Sequence, residues 1–281
     1  MILVWSSALV LLAVGVIGAA VALWLKLSKE NSENAQREQS SASPLKTRVT
    51  SRFESPSEES ALTLVKQALL VRDPAVIPNY FRLGTTNPGV VVNFLEAMAK
   101  NDGPITGYTW LSSMDRNGLL IDGVAVREEG GNSPKNRLAM LTPDENGNWK
   151  VDYDAFARTC KPPWNSAIKG KYQGGLVRVF IAKDSYYNSV FANDLEWTCY
   201  RLTSPDSEEV LLGYSRKNTP QSSAIIRIIE NSNASGENSI ATRAVLEIAH
   251  EEGAEPRQIR ITRVMAEDWV LSATSFDERF K

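Results

Sequence analysis

From Ile2 to Leu25 the chain carries no charged residue, and this run constrains the molecule more than any other stretch. As a helix rising about 1.5 Å per residue, 24 residues span roughly 36 Å, enough to cross a hydrocarbon core of about 30 Å with some tilt. Trp5 and Trp24 stand near its two ends, where indole rings favour the headgroup level. Lys26 and Lys29 follow and can extend toward phosphates. A buried core helix would need apolar surroundings on every side over this length. Ala20-Val21-Ala22 offers a cleavage site for a signal peptide, but no Lys or Arg precedes the run, and the run exceeds the usual apolar region of a signal. The sequence therefore predicts a transmembrane anchor over residues 1–27, in contact with a lipid bilayer through residues 2–25.

Gly15 with Ala19 and Gly18 with Ala22 are small-residue pairs that let two such helices approach, a pattern compatible with self-association. Lys26, Lys29 and Arg37 all follow the run. The positive-inside rule then predicts a single-pass protein of the cell membrane with its soluble part in the cytoplasm, and an exoplasmic placement is the alternative.

Residues 28–57 are rich in Ser, Glu, Asn, Gln and Lys without apolar periodicity, so burial cannot offset ordering entropy and a flexible linker is expected. The remainder of a 281-residue chain suits two domains. Ser57 to Val71 places Ala61, Leu62, Leu64, Val65, Ala68 and Leu69 at helical spacing, with Ser57 as cap and Glu58 and Glu59 in the first turn. Asp73-Pro74 opens a second short helix to about Leu83, and Pro88 to Lys100 gives a third. The period then switches, with strands expected over Ile105–Ser113, Leu119–Arg127, Asn136–Thr142 and Asn148–Tyr153, joined by Asp115-Arg116-Asn117-Gly118 and Asp144-Glu145-Asn146-Gly147. Helices followed by antiparallel strands make an α+β domain over residues 58–160. This order resembles the cone-shaped fold of nuclear transport factor two and its bacterial relatives, over about Ser57 to Tyr153. The resemblance implies a curled sheet wrapped on helices and fixes no activity, since relatives include enzymes, ligand binders and assembly adaptors.

Lys161-Pro162-Pro163-Trp164 is a stiff break. Beyond it, residues 165–281 read as a mainly β domain with one helix. Strands are expected at Leu176–Ala182, Glu196–Leu202, Glu209–Tyr214, Thr242–Ala249 and Gln258–Val264, with a last short one at Trp269–Ser272. The helix covers Asn218–Glu230, with Thr219 as a cap before Pro220. Three strands, a helix and two strands is the order of an OB-type barrel. Trp149-Lys150-Val151-Asp152-Tyr153, Asp184-Ser185-Tyr186-Tyr187-Asn188 and Trp197-Thr198-Cys199-Tyr200-Arg201-Leu202 give the whole a likeness to membrane-anchored bacterial proteins carrying a cone-like domain. That likeness implies no activity.

Chemistry-bearing patterns are few. Net charge is −2, and Glu208, Glu209, Asp184 and Asp194 are mixed among the cations of the second half, so no nucleic-acid partner is expected. His250 is the only histidine, no G-x-S-x-G elbow is present, and a partly exposed strand-end histidine is expected. Two cysteines and one histidine do not compose a zinc site, and no glycine-rich phosphate loop occurs, so no cofactor is expected. Cys160 and Cys199 are expected as unpaired, partly buried thiols, with one bridge the alternative in an oxidising compartment. Asp152 and Asp154 alternate along an expected strand and share a face, where solvated strand-end charges are favoured over acid–base work. Tyr186, Tyr187, Phe191, Trp197 and Tyr200 form the one notable aromatic set. Core packing is its first expectation, and Tyr186, Tyr187, Trp197 and Tyr200 are the candidates for an interaction surface.

The sequence thus favours a non-enzymatic, membrane-tethered binding or assembly protein with a protein partner or its own copies. The alternative is a small-molecule binder or enzyme using a pocket in the 58–160 domain, which Trp110, Met114, Met140 and Trp149 would remove if they filled it.

Overall fold

The computed structural model describes residues 53–116, 119–130, 135–234 and 242–281. The apolar run and nearly all of the linker lie outside these residues. Among those described, no helix is long and apolar enough to cross a membrane. The described residues belong to one compact unit.

Local chemistry sets the first helices. Ser57 caps α1 (Glu58–Leu70), its hydroxyl accepting from the Ser60 N–H at 3.2 Å, and Ala61, Val65, Ala68 and Leu69 are buried along one stripe. After the Asp73-Pro74 turn, α2 is only Ile77–Tyr80 and runs into a two-residue strand, β1 (Phe81–Arg82). The helix expected to reach Leu83 is shorter because Phe81 extends to pair with Val151. Asn87 caps α3 (Pro88–Asn101), accepting from the Gly89 N–H, and Val91, Val92, Leu95 and Met98 are buried.

The sheet then follows as β2 (Ile105–Arg116), β3 (Leu119–Glu128), β4 (Lys135–Pro143) and β5 (Trp149–Asp152). Its order is β1-β5-β4-β3-β2, antiparallel except for β1 beside β5. At the β4–β5 turn Asp144 accepts from the Asn146 and Asn148 backbone N–H groups at 2.9 Å each. One face packs under the helices through Val124, Val126, Ala139, Leu141 and Val151, with Trp110 and Trp149 against the same core. Met140 and Met114 face a different cluster with Ile121, Ala155, Trp269 and Val270.

Asp152 and Asp154 do not alternate along a strand. Asp152 ends β5 and caps a short helix, α4 (Tyr153–Phe156), accepting from the Ala155 N–H at 2.8 Å. Burial raises its pKa against that hydrogen bond and the charges of Arg178 and Arg82. Asp154 lies within the helix and accepts from the Thr159 hydroxyl. A free cap demanded by the helix N–H groups outweighs the strand periodicity. The Pro162-Pro163 break leads into α5 (Trp164–Ile168), a helix the sequence pattern does not announce.

The second half is a closed five-stranded barrel of β6 (Gly174–Lys183), β7 (Trp197–Thr203), β8 (Val210–Arg216), β9 (Thr242–Ala249) and β10 (Gln258–Ala266). Around the barrel β6 neighbours β7, then β8, β10 and β9, which returns to β6, and only the β8–β10 pair is parallel. Helix α6 (Pro220–Ala234) connects β8 to β9, with Thr219 accepting from the Ser222 N–H. The interior holds Val177, Val179, Ile181, Tyr200, Leu202, Leu211, Leu246, Ile248, Ile259 and Ile261, with Ala224, Ile225 and Ile228 of α6 packed on them.

The expected strand Trp269–Ser272 is absent. Trp269 instead fills the seam between sheet and barrel. Its indole N–H donates to the Val179 carbonyl at 3.1 Å, and its own carbonyl accepts from buried Arg178 at 2.9 Å. The Trp269 N–H donates to the Asp268 carboxylate at 2.9 Å, which leaves no backbone donor for a ladder at this position. Cys160 and Cys199 are both free thiols, and burial raises the pKa of each.

Candidate functional site

Strand alternation divides the aromatic set. Along β7, Trp197 and Cys199 face outward and meet Phe191 and Tyr214 in a small satellite core, with Tyr187, Leu212 and Ala254 packed around it. Tyr200 points the other way and is buried inside the barrel, with Ser215 donating to its hydroxyl at 3.5 Å. Of the four candidates, Tyr186, Tyr187 and Trp197 are brought together and Tyr200 is not.

The satellite core fastens the loop between β6 and β7 (residues 184–196) to the loop between β9 and β10 (residues 250–257). Phe191 stacks on Tyr214 with ring centres 4.0 Å apart and meets Trp197 edge-on at 5.0 Å. Gln258, fully buried at the start of β10, organises the polar side. Its amide N–H donates to the Tyr214 hydroxyl at 3.0 Å and to the Asn188 carbonyl oxygen at 2.5 Å, while its carbonyl accepts from the Glu255 N–H. The Tyr214 hydroxyl in turn donates to the Tyr186 backbone carbonyl at 2.8 Å. Asn188 donates to Glu255 at 2.6 Å and to the Tyr186 hydroxyl at 2.9 Å. The Tyr187 hydroxyl accepts from the Cys199 N–H. Burial raises the Tyr214 pKa, so the phenol stays a donor.

Ser189 takes φ +52°, a left-handed conformation unusual for a residue with a side chain, and its hydroxyl donates to the Gly253 carbonyl at 2.7 Å. The loop is thus fixed from below. The same loop carries Tyr186 (45% exposed), Val190 (43%) and Leu195 (83%), three of the exposed large apolar side chains among the described residues.

Beside them lies a cleft of about 680 Å³ lined by Val190, Phe191, Trp197, Ile261 and polar groups including Arg216 and Glu252. The Arg216 guanidinium lies 5.5 Å over the Trp197 ring and pairs with Glu196, and Arg260 on the same wall pairs with Glu251. The charges on the rim are therefore largely matched. The surface offers an apolar floor and aromatic anchors, without a cationic track for a phosphodiester.

His250 is partly buried at the end of β9, its Nε2 has no hydrogen-bond partner, and its ring meets Tyr172 edge-on. No group of three or more His, Cys, Asp or Glu among the described residues is placed to hold a metal. Sequence reading misses Tyr214, Asn188 and Gln258, the residues that hold the loop. Tyr214 had a signal in its outward parity on the expected third barrel strand. Asn188 and Gln258 had none, because nothing local ties residue 188 to residue 258.

No family model, curated protein or solved structure matches the chain at a significant level. Fold and site together define a class only: an α+β chain with a helix-covered sheet, a closed barrel and a preorganised aromatic surface on the barrel's rim.

Proposed function

We propose that the chain is a non-enzymatic, membrane-tethered binding protein that engages a protein partner through the rim of its barrel. One observation carries this reading: the hydrogen-bond network around Gln258 and Tyr214 ties down Tyr186, Asn188 and Ser189 of loop 184–196 while Tyr186, Val190 and Leu195 are exposed. A soluble surface gains nothing from fixing apolar side chains outward, whereas a binding surface gains preorganised anchors and loses less entropy on association. The matched charges of the cleft suit a polypeptide better than a polyanion.

The finer architecture belongs to the same proposal. Strand order β6-β7-β8-β10-β9, the parallel β8–β10 pair and a helix between the third and fourth strands support an OB-type barrel. Helices preceding an antiparallel sheet support the cone-like reading of the first part. The uncharged run supports a bilayer anchor over residues 2–25, and the lysines after it support a cytoplasmic soluble part.

The test uses the full chain in its cell. Leu195→Asp and Val190→Asp place charges on the exposed anchors without touching the network, and are expected to abolish co-purification of the partner while leaving the chain folded and membrane-bound. Unchanged partner recovery by both variants would overturn the surface assignment. A chain lacking residues 1–29 that retained full cellular function would overturn the tether.

A further inference from the structure

Glu128 closes β3 with its carboxyl fully buried, and neither carboxylate oxygen has a hydrogen-bond partner. Leaving such a group unmade is costly, and an apolar or amide side chain there would cost less. Five groups face it from every element packed around it. They are Arg137 and Lys135 of β4, Asp102 at the C-terminal cap of α3, Tyr108 of β2, and Arg158 after α4. Its chain neighbours Arg127 and Glu129 are occupied with one another at 2.9 Å, and Lys66 of α1 lies over the Tyr108 ring at 5.6 Å.

Arg137 stands between two buried carboxyls. Its Nη2 donates to Asp102 at 2.7 Å, and its Nη1 reaches the Phe156 carbonyl at 3.5 Å. Its Nε lies 3.5 Å from Glu128 Oε2 without making a hydrogen bond. Arg158 is spent elsewhere, on Asp206 and the Asn136 carbonyl. Lys135 adds a second cation to Asp102 at 2.6 Å. Backbone closes the site above: Gly103 and Gly130 approach so tightly that a Cβ on either would collide with the other, and the Glu129 N–H donates to the Pro104 carbonyl.

We infer that Arg137 is a proton-controlled latch, holding Asp102 and with it the end of α3 while Glu128 is protonated, and turning to Glu128 when that carboxyl releases its proton to solvent. As placed, the guanidinium hydrogen-bonds Asp102 and stays 3.5 Å from Glu128 without a hydrogen bond, so Glu128 is the carboxyl that keeps its proton more readily. The environment agrees in direction. Burial raises the Glu128 pKa against the pull of Arg137, while the hydrogen bonds from Lys135 and Arg137 overcome burial at Asp102 and lower its pKa. The released state is the one that ionises Glu128 more easily, so release grows as pH rises.

Amide hydrogen exchange on the full chain tests this over a pH window that runs upward from the ordinary carboxylate range, because burial moves Glu128 in that direction. The reporter is the Asp102 N–H, bonded to the Met98 carbonyl at 2.8 Å. After correction for intrinsic rates, its protection is expected to fall by up to about tenfold per pH unit within the window, the slope of one linked proton. Glu128→Gln keeps the shape and removes the titration, so its profile is expected to be flat. The Glu128 carboxyl carbon and Arg137 Nε resonances of the unsubstituted chain provide a second measurement and are expected to shift together with pH. A pH profile shared by the unsubstituted chain and Glu128→Gln would overturn the latch. So would a Glu128 titration that leaves the Arg137 resonance unmoved.

Discussion

Trp269→Ala is expected to cost the chain about 3–5 kcal/mol, the usual range for truncating a fully packed aromatic. The structure puts it toward the upper end. The ring is 2% exposed, lies 5.1 Å from the Phe180 ring, and belongs to the seam cluster of Ile121, Met140, Ala155 and Val270. Arg158 and Arg243 stand 5.8 and 5.9 Å from it, and each cation–π contact adds roughly 0.5–1 kcal/mol. Losing the indole N–H leaves the Val179 carbonyl without that donor, at a further cost of about 1 kcal/mol. Because the residue joins sheet to barrel, the loss falls on their coupling. Denaturant unfolding of the full chain, followed by far-ultraviolet circular dichroism and by tryptophan fluorescence, is expected to separate into two transitions. Phe276→Ala, confined to the barrel core and α6, is the control and is expected to lower one transition only. A loss below about 1 kcal/mol with coincident transitions would refute the seam argument, since a surface substitution costs no more than that.

Gln258→Leu removes the centre of the loop network and leaves Tyr214 and Asn188 short of a partner, so a loss of about 1–3 kcal/mol and faster exchange in residues 184–192 are expected by chemical denaturation and hydrogen exchange. Glu128 has a folded pKa above its unfolded value of about 4.5. Its contribution is therefore fully present at low pH and is lost as pH rises through the raised value, and Glu128→Gln is expected to flatten the decline seen in a stability–pH series. Ser57→Ala removes the cap of α1 and is expected to cost about 1 kcal/mol in thermal unfolding. Thiol labelling of the native chain is expected to be slow at both cysteines, and slower at fully buried Cys199 than at half-buried Cys160.

Much of the secondary structure is legible because it rests on local chemistry. Ser57 and Thr219 cap helices where their side chains meet free N–H groups, and two-residue alternation marks the long strands of sheet and barrel. Misreadings arise where a distant partner overrides the local pattern. Phe81 leaves a helical context to pair with Val151, and Trp269 leaves a strand-like context to fill the seam. Asp152 ends the strand its pattern predicts and also caps α4, so Asp154, read as part of that strand, falls in the helix. The aromatic set was visible as composition, but its division into an outward group and an inward Tyr200 follows from the register of β7 against β8, which pairs Cys199 with Tyr214. Gln258 and Glu128 were not legible at all. Each is an ordinary polar residue at one end of a strand, and its meaning comes from groups that folding brings against it, Asn188 seventy residues from Gln258 and Arg137 on the strand beside Glu128.

Loop 184–196 is the proposed binding surface. A photo-crosslinking amino acid at Leu195, in the full chain in its cell, measures contact at the most exposed of the apolar side chains, and the same group at Ile226 on α6 (49% exposed) is the control. The account predicts one discrete adduct of defined mass from position 195, lost when Gln258→Leu frees the loop, and no such adduct from position 226. Equal, diffuse labelling from both positions, unchanged by Gln258→Leu, would contradict it.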